Sequence, residues 1–207
     1  MIVVIGGGGH AKMIISILKG YYATREIGYT DIDDKGDILG VKYIGLDDVV
    51  LEMKGSQAVI GLTYLVSPVD RSLRDMIIRK YSKSSVSFPV VQSKTAIVGE
   101  SVSIGMGTVI LDNAMVNVGA QIGSFCVLNS KVLIEHDVVV GDNSIISPGA
   151  IILGGAKIGK NVFLGAGCIV RDGVEIVDNV VLGMGSVVNK DIKSPGIYLG
   201  FNAKKYR

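Results

Sequence analysis

Histidine is scarce in this chain, two in 207 residues, and both stand where they could do chemistry. His136 lies in the run Ile134-Glu135-His136-Asp137. An imidazole is the side chain best suited to accept a proton near neutral pH. A carboxylate beside it favours the imidazolium that results. His10 follows Gly6-Gly7-Gly8-Gly9, which in turn follows the apolar stretch Ile2-Val3-Val4-Ile5. A glycine turn that opens a helix points backbone N–H groups at an anion, so Gly8, Gly9 and His10 together make one N-terminal anion site. Gly6-x-Gly8-x-x-Ala11 fits the dinucleotide fingerprint in form, with acids roughly 20 residues further on. The region has no room for the second half of a dinucleotide fold. One mononucleotide is the better fit, its phosphate on the turn and a carboxylate on ribose or base. The plain alternatives are a tight glycine turn without a ligand and a His10 that only fills the first turn of a helix. No Ser/His/Asp arrangement is visible, and two histidines with two inward cysteines cannot assemble a metal site.

The element that must position His136 is a repeat. Every sixth residue from Val98 to Val188 is Ile, Leu or Val, sixteen in succession without a break in phase. Neither a helical period nor plain strand alternation gives that register. A six-residue period means a β-helix. With the aliphatic residue as position 1, position 5 is small or β-branched throughout, so each hexapeptide has two inward places. Position 4 is Gly, Asn or Asp in thirteen of sixteen repeats, the exceptions being Ser101, Phe125 and Lys131. Those residue types tolerate a left-handed backbone, which marks position 4 as the corner. Gly recurs at position 2, as at Gly105, Gly123, Gly141 and Gly159. Cys126 and Cys168 both fall at position 5, more than two coils apart. Coils stack at ~4.8 Å, so the pair exceeds the ~7 Å Cα limit for a disulfide and reads as two small core residues of a reduced protein.

In this frame His136 faces outward, with Val118 and Gly154 eighteen residues to either side. An apolar neighbour and a bare one suit a cleft, and a surface histidine without a role is the alternative. Asp137 occupies the corner, where Asp is frequent for backbone reasons alone. Glu135 stands where Gly predominates and could orient a substrate. Pro148, Ala166 and Met184 form one outward stripe at eighteen-residue spacing. Small and apolar residues there suit a pantetheine arm lying flat, or subunit packing.

The first 85 residues alternate strand and helix, the pattern of a small Rossmann-like parallel sheet. Strands are expected at Ile2–Ile5, Ile27–Ile32 and Ala58–Ile60. A helix follows the glycine turn, with Ala11, Ile14, Ile15 and Leu18 on one face. A second has Ser67 as N-cap and Pro68 at its first position, with Val69, Leu73, Met76 and Ile77 on its apolar face. The division is expected between 1–85 and 86–207. Hydrophobic residues make up 48% of the chain, yet no run approaches the ~20 apolar residues of a membrane span. The start lacks a basic region and a cleavage site, unlike a signal peptide, and the reading is a cytoplasmic protein. A net charge of +2 with interspersed signs gives no case for nucleic-acid binding. Lys204, Lys205 and Arg207 read as a solvated tail, with contact to cofactor phosphates as the alternative.

The glycine-rich turn with His10, Asp33-Asp34 after the second strand, and the coil carrying Glu135-His136-Asp137 together resemble the bacterial sugar O- and N-acetyltransferases. The nearest group is the nucleotide-linked 4-amino-sugar N-acetyltransferases of the UDP-N-acetylbacillosamine type, and the sialic acid O-acetyltransferase-like proteins share the layout. The resemblance spans essentially the whole chain. It implies a left-handed parallel β-helix behind the Rossmann-like sheet, and a homotrimer with acetyl-CoA along the coil between subunits. The sugar's nucleotide would lie in the N-terminal domain, its 4-amine reaching the coil. It implies Gly8, Gly9, His10, Asp33, Asp34 and Gly61 at the nucleotide sugar, His136 as catalytic base with Asp137 as its acidic neighbour, and Ile145, Ala166 and Met184 at acetyl-CoA. The implied reaction is direct attack of the sugar amine on the thioester, for surface glycan biosynthesis, with no metal. Alternatives are O-acetylation of a free sugar such as a sialic acid, transfer of a larger acyl group, and a non-catalytic nucleotide-sugar-binding scaffold. Three departures stand out. Ile145 replaces a second histidine common in the family, Leu62-Thr63-Tyr64-Leu65-Val66 replaces a short polar turn, and Gly200-Phe201-Asn202-Ala203-Lys204 replaces the common Gly-Val-Pro-Ala-Lys.

Overall fold

A computed structural model describes residues 1–207 except 22–25, 54, 64–67, 83, 202–203 and 206–207, and leaves aside the side chains of 21, 68–72 and 82. Ser67 as N-cap, Tyr64 to Val66 of the departing turn, the Val69 side chain, Asn202, Ala203 and Arg207 therefore lie outside the described residues. The chain divides into two compact units, Met1–Val91 and Gln92–Arg207.

The first unit is a parallel sheet. Strand β1 (Ile2–Ile5) is followed by helix α1 (Gly9–Tyr21), β2 (Ile27–Thr30), β3 (Lys42–Tyr43), the short helix α2 (Val49–Glu52), β4 (Gln57–Ile60) and α3 (Pro68–Ser82). The sheet order is β3-β2-β1-β4, and β1 pairs in parallel with both β2 and β4. The chain thus adds strands to one side of β1 and then to the other. Such a reversal leaves a crevice at the carboxyl ends of β1 and β4, where ligands of open α/β sheets bind. All of β1 is buried, as are Ala11, Ile14, Ile15 and Leu18 of α1, so the i, i+3, i+4, i+7 face packs as expected.

Two expectations need correction. Strand β2 stops at Thr30 rather than Ile32: Asp31 turns its carboxylate onto the Gly7 N–H at 2.7 Å, and Ile32 is left 83% exposed. On α3, Leu73 and Met76 are exposed, and the buried residues are Arg74, Ile77 and Tyr81. Tyr81 Oη donates to the Asp47 carbonyl, and Arg74 is buried guanidinium and all. A hydropathy count hides both. Strand β3 and helix α2 are too short for any periodic signal.

The second unit is a parallel β-helix. Two-residue strands run from Ile97–Val98 to Val187–Val188, broadening to three at Val180–Leu182. Each pairs with strands eighteen residues away, as Leu133–Ile134 does with Met115–Val116 and Ile151–Ile152. Successive strands enter three different sheets, so three hexapeptides make one coil. Gly196–Leu199 continues one sheet beside Val180–Leu182 and pairs antiparallel with the exposed Lys204–Lys205. From Thr108 to Ile192 every residue at positions 1 and 5 is buried. Two of the polar residues there, Thr108 and Ser144, are satisfied across the coil. Thr108 Oγ1 donates to the Gly123 carbonyl at 2.8 Å and Ser144 Oγ to that of Gly159 at 2.9 Å. Both cysteines are free and buried.

Corners turn through the left-handed region. Every position-4 residue from Ser101 to Gly185 has positive φ, including the three exceptions, Ser101 at 57°, Phe125 at 57° and Lys131 at 61°. A non-glycine residue there costs roughly 1–2 kcal/mol, which the continuous core overrides. The position-2 glycines answer a different need. A Cβ at Gly141 would lie 2.7 Å from the backbone of Gly159 and Lys160, one coil on. Among the described residues no helix is long and apolar enough to cross a membrane, and no cluster of His, Cys, Asp and Glu is grouped to hold a metal ion.

Gly141→Ala therefore forces backbone apart without any φ strain. A loss of about 1–3 kcal/mol, the usual range for overpacking, is expected in urea denaturation of the purified chain.

Candidate functional site

His136 and Asp137 sit at the end of a coil edge whose backbone is held on both sides. Asp137 N–H donates to the Val118 carbonyl at 3.1 Å, and Gly155 N–H to the His136 carbonyl at 2.9 Å. Asp137 takes the left-handed corner conformation, φ 58°. The turn brings its Oδ2 to 2.9 Å from His136 Nδ1. The hydrogen bond that His136 donates to Asp137 raises the imidazole pKa above its ordinary value; partial desolvation opposes this, and the Asp137 and Glu135 charges add to it. With Nδ1–H donating to the carboxylate, Nε2 carries the lone pair. The imidazole is 59% exposed, open to a substrate from outside. The pair is thus a fixed, outward, strengthened base. Asp137 holds the corner and also touches the imidazole.

His10 is the opposite case. Its Nε2 is buried and has no hydrogen-bond partner among the described residues. Burial, aided by the Arg74 charge, lowers its pKa to about 4, so it is neutral at physiological pH and offers hydrogen bonding without charge. Gly8 and Gly9 are exposed at the start of α1, with open space where their side chains would be. Gly61 follows β4 and packs tightly. A Cβ there would lie 2.8 Å from the Ile5 carbonyl oxygen and 2.9 Å from the Ala11 Cβ. Its place is explained by strand and helix packing. Since Ile5 pairs with both Thr30 and Ile60, the glycine turn, Asp31 and Gly61 share one sheet edge. Asp33 and Asp34 lie in the loop beyond. Asp33 pairs with Lys35 at 3.1 Å and Asp34 accepts from Gly36 N–H at 2.8 Å. The acid that touches the glycine turn is Asp31, which the sequence reading set in the strand without a role.

On the coil, Pro148, Ala166 and Met184 do form one column: Gly167 N–H donates to the Pro148 carbonyl at 3.0 Å and Gly185 N–H to that of Ala166 at 2.8 Å. Pro148 and Met184 are exposed and Ala166 half-buried. Ile145 lies off that column, buried in a strand between Val127 and Phe163. A second outward column passed unnoticed in the sequence: Ile97, Met115, Leu133, Ile151, Ile169 and Val187, all aliphatic, one per coil on one sheet. Ile97 and Ile169 are exposed. Reading every eighteenth residue just before position 1 would have found it.

The comparisons with known proteins agree with this layout. Residues 1–63 match the PglD N-terminal domain, residues 119–154 the bacterial transferase hexapeptide (six repeats), and residues 155–190 the hexapeptide repeat of succinyl-transferase. A histidine-to-asparagine mutant of perosamine N-acetyltransferase from Caulobacter crescentus, solved with CoA and GDP-perosamine, is similar over 100% of this chain and 96% of its own, at 28% identity and a TM-score of 0.90. The fold is that of the nucleotide-sugar N-acetyltransferases. The acetyltransferase domain of PglB from Neisseria gonorrhoeae, solved with acetyl coenzyme A, is similar over 99% of this chain and 98% of its own, at 25% identity and a TM-score of 0.91. No curated protein matches the chain in sequence. In its repeats and along its whole length the chain is similar to CoA-dependent hexapeptide acyltransferases.

Asp137→Asn removes the main cause of the raised imidazole pKa. In an NMR titration the His136 ring is expected to titrate at lower pH than in the parent. His10 behaves in reverse. Its folded pKa lies below its unfolded one, so the folded unit loses stability as pH falls from its ordinary 6.5 towards about 4. The His10 ring should keep its neutral shifts well below pH 6.5 and change only as the pH nears about 4, checked in the same titration.

Proposed function

We propose that the chain transfers acetyl from acetyl-CoA to the 4-amino group of a nucleotide-linked amino-deoxy sugar, with His136 as general base. The single observation that carries this reading is the His136–Asp137 pair, an outward imidazole with Nδ1 held by a carboxylate and Nε2 free. The sugar amine attacks the thioester carbonyl carbon and His136 Nε2 takes the proton. The imidazolium is stabilised by Asp137, with Glu135 close enough to add its charge. The tetrahedral oxyanion needs a donor. The Gly154 N–H, one coil on, donates no hydrogen bond among the described residues and is a backbone candidate. Collapse expels the CoA thiolate, which takes up a proton. No acyl-enzyme forms.

The residues present fit acetyl-CoA along Pro148, Ala166 and Met184, where small and apolar side chains leave a flat exposed strip. Ile145, buried in its strand, would shape the floor of that region and contributes no hydrogen bond from its side chain. In the first unit, Gly8, Gly9 and His10 would hold the diphosphate and sugar, with Asp33 and Asp34 towards ribose and base. Gly61 would allow the close approach of β4. The open glycine turn at the sheet's switch point favours a nucleotide-linked substrate over a free sugar. The bound ligand of the perosamine enzyme is of that class. The aliphatic column from Ile97 to Val187 supports a homotrimer, since an exposed apolar sheet face calls for cover. A role in surface glycan biosynthesis within the cytoplasm follows from such a substrate.

Incubation with acetyl-CoA and GDP-, UDP- or dTDP-4-amino-sugars should release CoA with at least one of them, and calorimetry should show affinity for the matching nucleoside diphosphate. His136→Ala should lower kcat by roughly 10²–10⁴-fold, the usual worth of a general base. Because the base works unprotonated and its pKa is raised, the rate should fall as pH drops, beginning above the range of an ordinary histidine. Turnover of a free sialic acid without any nucleotide affinity would instead support O-acetylation. An unchanged rate in His136→Ala would remove the imidazole from the chemistry.

A further inference from the structure

Glycine at two places on the coil is explained neither by backbone conformation alone nor by backbone crowding. Gly154 lies one coil after His136. A Cβ there would meet the imidazole itself, 2.5 Å from Nε2, 2.7 Å from Cε1 and 3.1 Å from Cδ2. The φ of Gly154 is not in the left-handed region, so only the ring's need for that space excludes a side chain. Gly119 lies one coil before Asp137. A Cβ there would come within 2.6 Å of Asp137 Oδ1. Its own column continues through Gly155 and Gly173, where the same Cβ would meet nothing within 4 Å. The two absent side chains thus coincide with the two members of the pair.

We infer that Gly154 and Gly119 are positioning residues: they form a seat in which the imidazole lies over one coil and the carboxylate over the other, fixing the aim of Nε2. The inference rests on His136 being the base. The geometry makes it useful. Both side chains are largely exposed, at 59% and 73%, so neither is held by burial. A one-atom contact between neighbours in sequence would leave them free to swing together into solvent. Contact of each ring or carboxylate face with a glycine one coil away limits that freedom without adding a side-chain group that could hydrogen-bond and compete. The charged groups acting on the ring are Asp137 and Glu135, while the flanking coils present Val118 and Gly154, neither of which titrates.

The test uses the full chain and three variants. Gly154→Ala should keep the parental melting temperature, since the atoms it displaces are the outer edge of an exposed ring. Its kcat/KM should fall on the order of 10²-fold, the scale of a 1 Å misplacement. Its His136 ring should titrate away from the parental value. Gly119→Ala should move the acid limb of the pH–rate profile to lower pH, because the displaced carboxylate no longer holds Nδ1. Gly173→Ala carries the same left-handed strain, φ 65° against 73°, and should match the stability loss of Gly119→Ala while keeping the parental profile. A parental rate together with a parental His136 titration in Gly154→Ala overturns the seat. So does a Gly173→Ala profile displaced like that of Gly119→Ala. If the parent itself turns over no amino sugar, the proposed activity fails there. The ring titrations in the parent and Gly154→Ala still decide the seat independently.

Discussion

Hydrogen bonding between stacked coils is the constraint on which the rest depends. Each short strand pairs with strands eighteen residues before and after it, and the pairing leaves no freedom at the corners between. The backbone must turn through the left-handed region at each one. It does so even where Phe125 and Lys131 stand in place of glycine or asparagine. The buried ladder of aliphatic and small residues inside supplies the driving force, and the corner cost is met from it. Once the coil is closed, sequence spacing becomes spatial adjacency. Residues eighteen apart touch, and a side chain's surroundings are chosen by two residues it never meets along the chain.

That adjacency lets a reactive pair stand in the open. His136 and Asp137 belong to a surface corner, yet their main chain is bonded to the coil on either side. The imidazole keeps solvent access for a substrate, while its pKa rises through its neighbour's carboxylate. His10 shows the converse environment. Burial and a nearby guanidinium hold it neutral at the mouth of a parallel sheet, where charge on the protein side would alter the balance of the glycine turn. One chain thus carries two imidazoles tuned in opposite directions, one by contact with an acid and one by loss of water.

The division of labour follows the two units. The Rossmann-like sheet offers open backbone N–H groups at a switch point, which suits phosphate and says little about the group transferred. The coil offers a base and a flat apolar strip, which suits acyl transfer and says little about the acceptor. Structures similar along the entire chain were solved with CoA or acetyl-CoA, and in one case also with a nucleotide sugar.

Periodicity made the coil legible in the amino-acid sequence. A six-residue repeat leaves its trace at every position, so the inward ladder, the corners and the column through Pro148, Ala166 and Met184 could be read directly. The first helix was legible for the same reason, with Ala11, Ile14, Ile15 and Leu18 at helical spacing. His136 was legible because histidine is rare and a carboxylate follows it. The face of α3 was misread, since Arg74 and Tyr81 are polar by type and yet buried, Tyr81 with its hydroxyl satisfied by the Asp47 carbonyl. Asp31 was passed over for Asp33 and Asp34 because only the closed sheet brings its carboxylate to the Gly7 N–H. Repeats and residue types are local properties, and the sequence by itself determined the architecture and singled out the one histidine of the coil. Which acid meets which N–H, which histidine loses its water, and which glycine makes room for a ring depend on distances between segments far apart in the chain, and only the tertiary structure decided those.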